Sequence, residues 1–181
     1  MKKADVFHAP TRPGAPVFAS FLERGLKNVA MQVGTNVRVF NDVQLNAHGY
    51  IAYDEQTGYI SIEPGYYRFD GWSLTTFGWQ LTPAQQAATY SAPGYVFLWN
   101  VEDKKTEAIG SLQDPMFAAP SLINAIVKVE QPRTFYLAHQ NGAKVAFISL
   151  QLFDPALKMP DGSTSTAHAF AQLVIQRLSD L

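Results

Sequence analysis

Most of the chain alternates between apolar and polar residues in short runs, which is the pattern of β-strands. Ile60 and Ile62, for example, alternate with Ser61 and Glu63. Further strands are predicted in VAMQV (29–33), VRVFNDVQL (37–45), YVFLWNVEDKK (95–105), LINAIVKVE (122–130), RTFYLAH (133–139) and KVAFISLQLF (144–153). Turn-forming residues separate these runs, so the pattern predicts an all-β, antiparallel sandwich or barrel.

The stretch YDEQTGYISIEPGYYRF (53–69) indicates how neighbouring strands are joined. Asp54 can bond the backbone that follows it, and Gly58 tolerates positive φ, so a tight turn is expected between them. Pro64 has no N–H to donate to a ladder, and Gly65 allows the chain to reverse. The stretch therefore predicts a strand, a turn, a strand, a second turn and an aromatic strand.

The aromatic strand after Gly65 has two unlike faces. Tyr67 and Phe69 share one face and are predicted to bring large apolar area to the core. Arg68 and Asp70 share the other face, where they are expected to form a salt pair across strands or between subunits. These four residues are our candidates for a subunit interface.

Two segments fit more than one structure. Residues 81–94 (LTPAQQAATYSAPG) are compatible with one or two helical turns or with an irregular loop. Residues 167–181 have both a helical stripe and a strand-like alternation. We favour the strand, because the last strand of a sandwich is expected to be central and to need two apolar faces.

The length of 181 residues fits one domain. Residues 1–16 contain Pro10, Pro13 and Pro16 with Gly14, and they are predicted to form an extended, mobile arm. Residues 17–181 are predicted to form the folded domain.

Composition narrows the classes of function. Charged residues make up only 16% of the chain and hydrophobic residues 47%, which indicates extra buried surface such as a subunit interface. The net charge of −1 argues against a nucleic acid partner. The sequence has neither a signal peptide nor an apolar run long enough for a membrane helix. Without cysteine there is no disulfide or thiolate site. The cytoplasm is thus the default compartment, with a virion or surface assembly as the alternative.

Residues 40–69 carry a family resemblance. They match the pattern Phe-x-x-Val-x-x-Asn, Tyr-Asp-x-x-Thr-Gly-x-Ile, Pro-Gly-x-Tyr-x-Phe at Phe40, Val43, Asn46, Tyr53, Asp54, Thr57, Gly58, Ile60, Pro64, Gly65, Tyr67 and Phe69. This pattern resembles the globular domain of the C1q/TNF-like superfamily. The resemblance implies a jelly-roll β-sandwich that forms homotrimers, and we expect a bacterial or phage type without a collagen stalk or membrane anchor.

Two positions depart from that family. Gln131-Pro132-Arg133 stands where the family usually has Gly-Asp, and residues 170–178 lack the usual closing Phe-x-Gly-Phe-Leu-Leu. Receptor or complement biology is therefore not carried over to this chain.

The sequence contains no recognisable motif for catalysis or metal binding. The four histidines, which we interpret as isolated surface or edge residues, are His8, His48, His139 and His168. No Ser/His/Asp arrangement or phosphate-binding loop is recognisable. A cupin-like metal enzyme would need clustered ligands, so it is the weaker alternative. The acidic pairs Asp54-Glu55 and Glu102-Asp103 are interpreted as solvated turn charges. We expect no cofactor, with calcium as the less favoured alternative.

Aromatic residues supply the candidate ligand site. Trp72, Trp79 and Tyr90 are the candidates, near Tyr95 and Trp99, because exposed aromatic rings can stack against sugars. Core or trimer-interface packing is the competing interpretation, and the favoured one.

Together, the features predict a non-enzymatic, homotrimeric recognition module for a carbohydrate or protein ligand, without nucleic acid binding or membrane insertion. A structural tip or coat component of a virion or appendage, tethered by the arm, is the alternative.

Overall fold

The computed structural model describes residues 16–25, 29–47, 49–77, 82–84, 87, 94–113, 119–141, 148–151, 158–163 and 168–181. The strands are β1 (Phe18–Arg24), β2 (Val29–Ala30), β3 (Gly34–Val37), β4 (Asp42–Asn46), β5 (Ile51–Asp54), β6 (Tyr59–Ile62), β7 (Gly65–Ser73), β8 (Thr76–Phe77), β9 (Gly94–Asn100), β10 (Lys105–Gln113), β11 (Ser121–Val129), β12 (Arg133–Asn141), β13 (Ile148–Gln151) and β14 (Ala169–Ser179). In this part of the chain no helix is long and apolar enough to cross a membrane.

The strands pair into three antiparallel sheets. A five-stranded sheet has the order β11-β7-β14-β1-β4. A six-stranded sheet has the order β10-β9-β12-β6-β5, with β3 paired to β12 beside β6. A small sheet has the order β2-β13-β8. The antiparallel all-β sandwich that the hydrophobic pattern predicts is therefore confirmed.

The core lies between the two large sheets. Its largest fully buried side chains include Phe21, Tyr67, Phe69 and Leu173 from the five-stranded sheet, and Ile60, Ile62, Leu98, Phe135 and Leu137 from the six-stranded sheet. Phe69 meets Phe135 across the sandwich with ring centroids 5.6 Å apart. Such packing removes most of the aromatic area from water, which is the main source of stability for this class of fold.

The turn between β5 and β6 forms as the sequence predicts. The Gln56 N–H donates to Asp54 Oδ1 at 2.8 Å, and the Gly58 N–H donates to the Asp54 carbonyl at 2.9 Å. Gly58 has φ of +77°, and a Cβ there would lie 2.6 Å from the Arg38 carbonyl oxygen. Glycine is therefore required by both the backbone conformation and the close approach of the chain.

Tyr53, just before that turn, closes one end of the core. Its hydroxyl accepts a hydrogen bond from the Phe40 N–H at 2.6 Å and donates to the Phe40 carbonyl at 3.1 Å. Its ring packs against those of Phe21 and Phe40, with centroids 5.1 and 6.1 Å away. Burial raises the pKa of Tyr53 to about 12, so the phenol stays neutral.

The two ambiguous segments resolve differently. The C-terminal segment is strand β14 and occupies the centre of its sheet, as favoured from the pattern. Only one face of β14 is fully buried, because Gln172, Val174 and Gln176 point away from the core. The expectation of two buried faces is wrong. In the segment 81–94, Pro83, Ala84 and Ala87 are helical. The predicted arm lies outside the described residues, apart from Pro16.

A charged network lies at one end of the sandwich and joins all three sheets. Arg38, directly after β3, has no exposed surface. Its Nη1 donates to Glu23 Oε2 on β1 at 3.2 Å and to the Leu150 carbonyl on β13 at 2.9 Å. Its Nε donates to Ser73 Oγ on β7 at 3.0 Å. Gln151 donates to the other oxygen of Glu23.

Nearly all polar side-chain atoms of this network have a hydrogen-bond partner. Arg38 Nη2 donates to the Leu74 carbonyl, so each nitrogen of the guanidinium has an acceptor. Both oxygens of Glu23 also have donors. A buried ion pair is tolerated only when its polar groups are paired in this way, and removal of one partner leaves an uncompensated buried charge.

We predict that Glu23→Gln lowers the free energy of unfolding by about 3–5 kcal/mol, because Arg38 would keep its charge in a buried site without a carboxylate. Urea unfolding measured by circular dichroism tests this. The matched control is Asp42→Asn, which breaks the part-exposed Arg24–Asp42 pair and should cost about 1 kcal/mol or less. Equal losses in the two variants would contradict the role given to the buried pair.

Candidate functional site

Two side chains with catalytic chemistry meet inside the fold. Ser73 Oγ lies 2.7 Å from His139 Nδ1, although 66 residues separate them in the chain. The sequence analysis detected no such pair. It also placed His139 at the surface or at an edge, and this is wrong, because the side chain is buried. Its position on β12, two residues after Leu137 and four after Phe135, was a signal for an inward-facing side chain.

The geometry makes this Ser–His pair structural. Arg38 Nε donates to Ser73 Oγ, so the serine hydroxyl gives its own hydrogen to His139 Nδ1. Burial and the nearby Arg38 charge lower the pKa of His139 to about 3. Both side chains are buried from solvent, so a substrate cannot reach the hydroxyl. The pair extends the Arg38 network into the six-stranded sheet.

The outer face of the five-stranded sheet is the candidate functional surface, and we call it the sheet face. Three rows of side chains cross it, given by the pairing of β11 with β7 and of β7 with β14. The rows are Leu122–Trp72–Gln172, Asn124–Asp70–Val174 and Ile126–Arg68–Gln176. In the single chain this face is covered by none of the other described strands, since the second sheet packs on the opposite side.

The polar groups of the sheet face are paired with one another. Arg68 Nε lies 2.6 Å from Asp70 Oδ2, and Asn124 donates to the same carboxylate. The indole N–H of Trp72 donates to Gln172 Oε1 at 3.0 Å. These contacts neutralise the charge of the face and fix the side chains that surround its apolar area.

The apolar part of the sheet face is a shallow depression of about 450 Å³. It is lined by Asp70, Gly71, Trp72, Leu122, Ile123, Asn124, Gln172 and Val174. The neighbouring edge of the sandwich, where β10 meets β11, is also apolar and projects into solvent. Ile109, Leu112, Leu122 and Ile126 are between 57% and 71% exposed there. We call these four residues the aliphatic edge.

The two strands of the aliphatic edge are joined across the gap between the sheets. The Leu122 N–H donates to Ser111 Oγ at 2.9 Å, and Ser121 Oγ donates to the Ser111 carbonyl. The exposed side chains are thus held on a fixed backbone. Four large aliphatic side chains exposed together in a fixed arrangement are typical of an interaction surface.

The predicted site residues fall in three places. Trp72 is half-buried beside the depression, and Arg68 and Asp70 form the ion pair of the sheet face. Tyr67 and Phe69, our other interface candidates, are instead core residues without exposed surface, so their rings are not available to a second subunit. Trp79 and Tyr90 lie outside the described residues. The aliphatic edge is a feature that the sequence analysis missed.

The predicted acidic turn at Glu102-Asp103 is present between β9 and β10. Asp103 contacts Arg133 at 3.1 Å, and Glu102 accepts the Thr134 N–H at 2.7 Å. The buried Asn100 also donates to Asp103, at 3.1 Å. Within the described ranges, no group of three or more His, Asp and Glu residues is placed to hold a metal ion.

The fold is similar to that of TNF-family jelly-roll proteins. The crystal structure of murine APRIL at pH 8.5 superposes with a TM-score of 0.52 and 10% sequence identity, covering 91% of this chain and all of that one. The crystal structure of murine APRIL at pH 5.0 gives a TM-score of 0.49 and 11% identity over the same shares of the two chains. No family model and no curated protein sequence matches the chain. At this sequence identity the similarity shows only the fold, which is a TNF-like jelly roll.

We predict that His139 makes the protein less stable in acid. The folded-state pKa of about 3 lies below the usual value near 6.5, so the unfolded chain binds a proton that the folded chain does not between these limits. The free energy of unfolding should therefore fall as the pH drops through this window, by up to about 1.4 kcal/mol per pH unit.

Urea unfolding from pH 7 to pH 4 tests this with His139→Asn, which keeps an acceptor for Ser73 but does not titrate. The variant should lose that part of the pH dependence. His168→Asn, at an exposed position, is the control and should retain it. If wild type and His139→Asn show the same slope, His139 is not held neutral by the fold.

Proposed function

We infer that the protein is a non-enzymatic, homotrimeric recognition module. In this assembly the aliphatic edge of each protomer packs against the sheet face of the next. One observation supports the proposal above all others: the aliphatic edge is exposed and adjoins, through Leu122, the open apolar depression beside Trp72.

The resemblance to C1q/TNF-like domains favours a ring over a twofold dimer. A twofold contact would use the same patch of both chains, edge on face and face on edge, and would close at two copies. An edge-to-face contact joins two different surfaces and closes into a ring when the rotation allows. A ring of three is what the resemblance to C1q/TNF-like domains implies.

The sheet face is suited to burial in such a contact. Arg68, Asp70 and Asn124 already neutralise one another, and the Trp72 indole already has its acceptor in Gln172. Polar groups that are paired before association carry a smaller desolvation cost than free ones. The low proportion of charged residues in the chain is consistent with a large surface of this type.

The absence of catalysis is supported by the positions of the reactive side chains. Ser73 and His139 are inside the protein, and His139 serves as a hydrogen-bond acceptor within the Arg38 network. The similarity to TNF-family cytokines, which are not enzymes, supports the same conclusion at the level of the fold.

We predict that the protein at micromolar concentration has the mass of three 20.0 kDa chains in size-exclusion chromatography with light scattering. Leu122→Glu and Ile126→Glu should each convert it to monomers, because an unpaired carboxylate would be buried in every contact. Val33→Glu is the matched control, since Val33 is an exposed aliphatic residue outside both surfaces. A monomeric wild type, or trimeric glutamate variants, would rule the proposed assembly out.

A further inference from the structure

The outer face of the six-stranded sheet carries a row of stacked aromatic rings. Tyr59 on β6, Tyr136 on β12 and Trp99 on β9 lie side by side across neighbouring strands. The ring centroids of Tyr59 and Tyr136 are 5.6 Å apart with 19° between the planes, and those of Tyr136 and Trp99 are 6.5 Å apart with 24°. We call these three residues the aromatic row.

The aromatic row packs against a fourth ring on the same face of the sheet. Phe97, two residues before Trp99 on the same strand, is buried and contacts Trp99 and Tyr136 edge-on, with centroid distances of 6.5 and 6.4 Å. The rings are therefore fixed before any ligand arrives, and binding costs little side-chain entropy. Aromatic residues with few rotatable bonds are the usual anchors of recognition surfaces.

Among the described residues, no side-chain hydrogen bond links the polar groups of the aromatic row to the rest of the molecule. These groups are the hydroxyls of Tyr59 and Tyr136 and the indole N–H of Trp99. The contrast with the rest of the molecule is clear, because Tyr53 bonds Phe40 and Trp72 bonds Gln172. Three polar groups on a fixed surface are available to a ligand.

The surroundings of the row are neutral apart from one acid, Asp54, which is paired with Tyr59 across β5 and β6. Along the described parts of β6, β9 and β12, every outward-facing position is occupied by a neutral residue. The polar ones include Ser61 and Thr134, which face each other across β6 and β12, and Gln140. On β10, Thr106 is paired with Trp99 and is also neutral. This surface therefore offers stacking and neutral hydrogen bonds, and its charged neighbour Asp54 would repel a polyanion.

These properties select among the ligands that stack on aromatic rings. Single-stranded nucleic acid also stacks on such rings, but it needs cationic side chains for its phosphates, and the outward-facing positions of these strands carry none. A pyranose with equatorial hydroxyls matches better, since its faces are C–H surfaces and its rim carries neutral donors and acceptors. We propose that the aromatic row is the binding site for an uncharged polysaccharide of β-linked pyranose units.

The proposal rests on the recognition role inferred above and names its ligand class. The row runs across three neighbouring strands, so it suits an extended chain with contacts to successive sugar units. In the proposed trimer three copies of the row would engage one repetitive polymer, and avidity would strengthen binding without new contacts. A second copy of this protein is the other occupant that an uncharged aromatic surface accepts, and the experiment separates the two.

The test is retention of the full-length protein on insoluble cellulose and on chitin, which are neutral β-linked polymers, with heparin beads as the charged comparison. Wild type should bind cellulose or chitin and not heparin. Tyr59→Ala and Tyr136→Ala should each weaken that binding roughly tenfold or more, by analogy with the loss of one stacking ring. Val33→Ala, which removes an exposed side chain outside the row and outside both assembly surfaces, should bind as wild type does.

Each contrary result has a definite meaning. No retention on cellulose and chitin, or preferential binding to heparin, overturns the proposal. Unchanged binding by Tyr59→Ala overturns it too, since this side chain is 37% exposed and its removal leaves the core intact. A change of oligomeric mass in Tyr136→Ala would make the row a contact between copies. A monomeric wild type that binds cellulose refutes the trimer alone.

Discussion

The burial of one cation, Arg38, is the constraint on which the rest of this structure depends. Its guanidinium donates to a carboxylate on β1, a hydroxyl on β7 and a carbonyl on β13, and through Ser73 it reaches His139 on β12. A buried charge is tolerated only with all such partners present. The two large sheets and the small third sheet must therefore be docked together, which makes this end of the sandwich cooperative and rigid.

Elsewhere charges are paired, and two broad surfaces are left without an unpaired cation. Lys105 and Arg133 pair with acidic residues near the β9–β10 turn, and Arg68 is neutralised by Asp70. What remains outside is the sheet face with its aliphatic edge, and the aromatic row on the opposite side. The proposed trimer uses the first surface and the proposed polysaccharide site uses the second, so the two proposals are compatible.

The sequence predicts local features well and long-range ones poorly. The turn from Asp54 to Gly58 was predictable because its hydrogen bonds and its glycine conformation lie within a few residues. The segment of strand β14 carried both a helical and a strand-like pattern, so alternation did not decide it, and the two apolar faces for which the strand was favoured are not present. The meeting of Ser73 with His139 depends on sheet pairing, which no local pattern encodes. On β9 both faces are apolar, since Val96 and Leu98 alternate with Phe97 and Trp99, so alternation could not tell which side faces outward.

The most direct test of this account is hydrogen exchange at the Arg38 side chain, observed by NMR of the Nε–H group in D₂O at neutral pH. Burial and the bond to Ser73 predict that this proton exchanges far more slowly than that of the exposed Arg68. Slow exchange that persists until global unfolding would place Arg38 at the centre of the folded sandwich. Exchange as fast as that of Arg68 would contradict the account.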